Sequence, residues 1–94
     1  MNKNSGEVSI AQSVASLSTG DCAEVGFVGG GKAMMQRLAM LGIRPGVKIC
    51  VLHGPGNRGA VLRVGGTRVA LGRGVIEVIM VNPQIRTRGS EAAE

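Results

Sequence analysis

Ninety-four residues fit one compact domain, and a chain this short buries only a modest share of its unfolded surface. Apolar residues make up 44% of it, yet Phe27 is the only aromatic, so Val, Ile, Leu, Met and Ala must build the core. A net charge of +5 points to an acidic partner, whereas six carboxylates and the single histidine His53 leave little for general acid–base catalysis.

No Ser-His-Asp spacing, Walker-type loop or zinc-protease helix is present, so the reading is a binding module and not an enzyme. No apolar run approaches the ~20 residues of a membrane-spanning helix, and the first twelve residues lack the apolar stretch of a signal peptide. The expectation is a cytoplasmic protein without membrane insertion. In such a reducing compartment Cys22 and Cys50 are expected as free thiols.

Residues 1–12 and 84–94 are polar and aperiodic and read as flexible ends around a domain over 13–83. Ser16 to Asp21 forms a turn that leads into a strand in which Ala23, Val25 and Phe27 face inward, alternating with Cys22, Glu24 and Gly26. Gly29-Gly30-Gly31 breaks the strand. The triplet lacks the rest of a nucleotide-binding motif and reads as a strand-to-helix connection.

From Lys32 the period becomes helical, with Met34, Leu38 and Leu41 as one stripe and Met35 and Met40 flanking it. Gly42 stops the helix, and Ile43 is placed to fold back on it. Pro45-Gly46 turns the chain into a second strand through Val47, Ile49 and Val51. Residues 53–59, rich in glycine, read as a loop.

Ala60 to Val64 and Thr67 to Leu71 form a hairpin around Gly65-Gly66, with both glycines expected at positive φ. This register buries Ala60, Leu62, Val64, Val69 and Leu71 and sets Arg63 opposite Arg68 on the other face. After a turn at Gly72-Arg73-Gly74, Val75 to Val81 reads as a last strand. The fold class is mostly β: a partly open, bent barrel of about five strands with a short helix inserted after the first.

Several features bear on function. Like charges directly across a ladder repel, so Arg63 and Arg68, with Arg58 and Arg73 as possible extensions of the patch, call for an acidic partner or phosphate. A basic hairpin on a small barrel also admits an alternative, nucleic-acid binding, against which the shortage of stacking aromatics counts. No resident cofactor is indicated. Cys22, Cys50 and His53 are the candidate ligands for weak transition-metal binding, although half-buried thiols more often serve as packing residues.

The run Gly29-Gly30-Gly31 followed by Arg37-Leu38-Ala39-Met40-Leu41-Gly42-Ile43-Arg44-Pro45-Gly46-Val47 resembles the signature of the ferrous iron transport protein A (FeoA) family. Leu17-Ser18-Thr19-Gly20-Asp21 and Arg68-Val69-Ala70-Leu71 extend the likeness over roughly Val14 to Val81. Gly72-Arg73-Gly74-Val75 departs from the polar segment that many members carry there. A similar domain closes some metal-dependent repressors, but this chain carries no helix-turn-helix.

The resemblance implies an SH3-like barrel that docks on the cytosolic, GTPase-bearing part of the ferrous iron permease and regulates iron uptake, peripheral at the inner membrane. The expected docking residues are Met35, Arg37, Met40, Arg44 and Pro45, with Arg63 and Arg68 as a second surface. Self-association through the apolar helix is a further possibility.

Overall fold

The computed structural model describes residues 12–83. In chain order these form β1 (Gln12–Ser13), a 3-10 turn at Val14–Ser16, β2 (Cys22–Val28), α1 (Lys32–Met40), β3 (Lys48–Gly56), β4 (Gly59–Val64), β5 (Thr67–Leu71), α2 (Arg73–Ile76) and β6 (Ile79–Pro83). All six strands join one antiparallel sheet in the order β1-β6-β2-β3-β4-β5. Among the described residues the sheet does not close on itself, and β1 and β5 are its edges. The expected mostly-β fold holds, with the helix following the first long strand. The flexible ends expected over 1–12 and 84–94 lie outside the described residues, except Gln12, which pairs with Val81.

One side of the bent sheet is lined by Ala23, Val25, Ile49, Val51, Leu62 and Val81, all buried, and is capped by Val14, Leu38, Ile43 and Ile76 from the turns and helices. No polar side chain is buried among the described residues. Branched aliphatics thus suffice for a core without a ring in it.

The β4–β5 hairpin has the expected register, Leu62 opposite Val69 and Arg63 opposite Arg68. Of its turn glycines only Gly65 has positive φ, at +62°. A turn with one such residue at its first central position suits the strand twist as well as the two-residue alternative.

The structure corrects further expectations. Phe27 is 62% exposed, because a bulge in the β2–β6 ladder between Val25 and Phe27 advances the chain by one residue and turns Val28 inward instead. Residues 53–56 belong to β3, which absorbs the Gly54-Pro55 pair through register shifts after Val51 and after His53. Val75 and Ile76 lie in the single-turn α2, not in a strand, and Ile76 is fully buried. Leu41 leaves the helical stripe at the end of α1 and stays 46% exposed.

Candidate docking surface

The placement of α1 follows from how it begins and ends. Gly30 and Gly31 precede it with φ of +86° and +91°, conformations that side chains resist. The Gly29 amide donates to the Val78 carbonyl at 2.8 Å, so the triplet is fastened to the segment before β6 rather than open to cradle a phosphate.

At the other end the Gly42 amide donates to the Ala39 carbonyl and the Ile43 amide to the Leu38 carbonyl, both at 2.9 Å, with Gly42 at φ +89°. This is a Schellman stop, and its apolar contact is made by Leu38 and Ile43 inside the core. Only Leu38 of the helix is buried, while Met34 is half-buried against the core.

The rest of α1 faces outward. Met35 is 42% exposed and Met40 86%, with Arg37, Arg44 and Pro45 also exposed. Methionines are flexible and polarizable, and they re-pack readily against another protein. The structure therefore gathers the first group of expected residues on one helix and its exit. A Cβ on Gly29 would touch both Phe27 and Val78, and one on Gly30 would touch Met34 and Val78, so Phe27 joins this apolar surface at the start of the helix. Sequence alternation hides Phe27. The one available signal is Gly26, a strand-interior glycine of the kind that marks a bulge.

Arg63 and Arg68 form the second exposed surface, on the outer face of β4 and β5. They flank a shallow hollow of about 240 Å³ that Leu52, His53 and Val61 also line. Each described carboxylate is accounted for elsewhere. Glu77 accepts from Arg73 Nε at 3.0 Å, Asp21 Oδ2 accepts the Ser18 amide at 2.8 Å, and Glu24 lies opposite Lys48. Arg73 is thus paired with Glu77, and neither Arg63 nor Arg68 forms an ion pair with a described carboxylate.

Cys22 and Cys50 are not free thiols in this structure. They occupy directly opposed positions of the β2–β3 ladder and form a disulfide, their Cα atoms 4.0 Å apart. With the sulfurs bonded to each other, no thiolate is available to a metal in this state, and no group of three candidate ligands forms among the described residues. His53 pairs with Val61 and opens onto the hollow beside the arginines.

A small, open antiparallel sheet that carries one outward-facing helix and an arginine face, and whose six strands follow an SH3-like plan, is an SH3-like module. The FeoA domain family model matches residues 12–83, the whole described chain, and the protein belongs to the FeoA family.

It is similar to a crystal structure of iron uptake regulatory protein (FeoA), with 31% identity, a TM-score of 0.70, and coverage of 79% of this chain and 97% of that one. The solution structure of FeoA from Chlorobium tepidum matches at 29% identity and TM-score 0.72, covering 83% and 75%. FeoA of Stenotrophomonas maltophilia, complexed with zinc and described as a prokaryotic SH3 domain protein, matches at 26% and 0.65, covering 76% and 89%. No curated protein sequence matches significantly.

Proposed function

We propose that the protein is a cytosolic accessory factor of ferrous iron uptake that docks on the GTPase-bearing part of the ferrous iron permease. The observation that carries this reading is an 86%-exposed methionine at the end of a helix rigidly stopped by buried Leu38 and Ile43, in a chain whose described length is a FeoA domain. For the Stenotrophomonas maltophilia relative a role as a ferrous iron transport activating factor has been put forward. Met35, Arg37, Met40, Arg44 and Pro45 form the docking face, Phe27 extends it, and Arg63 and Arg68 give a second contact for an acidic surface. Such a factor sits at the inner membrane through its partner. No helix among the described residues is long and apolar enough to cross a membrane.

Phe27, although exposed, does not restore the nucleic-acid reading. It is the single aromatic of the chain, so a run of bases would find one stacking platform at most. The experiment is a pull-down of tagged protein from detergent-solubilised host membranes at low and high salt, with and without nuclease. Nuclease-resistant recovery of a GTPase-bearing permease is expected. Loss at high salt marks the contact as electrostatic, carried by Arg37 and Arg44 or by Arg63 and Arg68. Recovery of nucleic acid alone, or of a second copy of the chain alone, sinks the proposal.

A further inference from the structure

The pairings across four adjacent strands align Cys22, Cys50, Arg63 and Arg68 in one transverse row. All four stand on the outer face, the cysteines half-buried and the arginines exposed. In the next row of that face Glu24 stands opposite Lys48, while Arg63 forms no ion pair with a described carboxylate. A guanidinium directly across from Cys50 stabilises a thiolate there whenever the disulfide is open. Cys22 on the other side of Cys50 is placed as the resolving thiol.

We propose that Cys22 and Cys50 form a reversible dithiol–disulfide site on the sheet's outer face, with Cys50 as the attacking thiolate and a carboxylate-bearing disulfide of the glutathione class as oxidant. The Cys50 thiolate attacks one sulfur of the oxidant, forming a mixed disulfide and expelling one thiolate, which takes up a proton. The Cys22 thiolate then attacks the Cys50 sulfur and expels the second thiolate, protonated in turn. Two electrons pass from the two cysteines to the oxidant, which leaves as two thiols. The oxidant's carboxylates meet Arg63 and Arg68 at the rim of the hollow of about 240 Å³ shared with Leu52, His53 and Val61.

The bond closes a loop with a sequence separation of 28, and that loop holds all of α1 and its exit. Oxidation therefore fastens the segment that carries the exposed methionines.

The test follows intact mass and alkylation of the purified full chain in buffers of varied glutathione to glutathione-disulfide ratio. Interconversion of dithiol and disulfide is expected, with the oxidised form melting about 10 °C higher. C22S is expected to stop at one glutathionyl group on Cys50, and C50S to react several-fold more slowly. R63Q slows oxidation by glutathione disulfide and, to a lesser extent, by uncharged hydroxyethyl disulfide, whereas R68Q slows only the charged reagent. Far-UV circular dichroism confirms that each variant is folded. No interconversion at any ratio, faster glutathionylation at Cys22 than at Cys50, or R63Q reacting like the parent would overturn the proposal. None of these readouts involves the permease, so its capture stands or falls separately.

Discussion

Replacing Leu38 by alanine tests whether α1 is held by the residue the structure assigns. Leu38 is 2% exposed and anchors the helix through its contact with Ile43. Three carbon groups are lost, each worth about 0.8 kcal/mol on transfer from water, and the unfilled space raises the total to about 3 kcal/mol. In a domain of this size that lowers Tm by about 15 °C. Leu41, the other leucine of the sequence stripe, is 46% exposed, and its alanine variant should lose only about 1 kcal/mol. With neither Trp nor Tyr in the chain, urea unfolding is followed by far-UV circular dichroism, the disulfide kept closed and the slope of stability against urea compared among variants. Equal losses at Leu38 and Leu41, or a loss below about 1 kcal/mol at Leu38, would refute the assignment.

Other substitutions probe the remaining features. Gly59→Ala should cost more than about 3 kcal/mol, because φ is +114° and an added Cβ would collide with the Leu71 carbonyl and lie 2.8 Å from Gly72, whereas Gly66→Ala, with open space around it, should stay within about 1 kcal/mol in the same urea assay. Arg68→Glu should stabilise the fold by about 0.2 to 1 kcal/mol by placing opposite charges across the ladder from Arg63, a gain that melting in about 1 M salt should erase. Met40→Gln should leave stability within about 0.5 kcal/mol while reducing capture of the permease; undiminished capture would remove Met40 from the docking face.

The elements legible in the sequence are those whose determinants lie close together in the chain. Ala60 to Leu71 carries its alternation, its Gly-Gly turn and its partner within twelve residues, and the pairing follows from them. Helix α1 likewise carries its own period and its Gly42-Ile43 stop. The bulge that exposes Phe27 belongs to two strands at once, since it shows in how β2 meets β6 and not in β2 alone. Cys22 meets Cys50 only through the β2–β3 register, fixed across the intervening helix and turns.

Val75 to Val81 was ambiguous for another reason. A short apolar run has no period to separate strand from helix, and Ile76 and Ile79, three apart, are both fully buried with a helical turn beneath the first. Among the proposed docking residues, those of the helix and its exit follow from the sequence resemblance, while the exposure of Phe27 near Met34 and Val78 requires the folded chain.

The strand order has a consequence for how the chain comes into being. From β3 to β5 each strand pairs with its sequence neighbour, so this meander can form while synthesis is still under way. β2 waits on one side for β6, because Val25 must meet Val81 and Ala23 must meet Pro83. Until those last residues leave the ribosome, β2 presents an unpaired edge with the exposed methionines of α1 close behind it in the chain. The nascent protein is therefore most vulnerable to wrong partners just before β6 emerges.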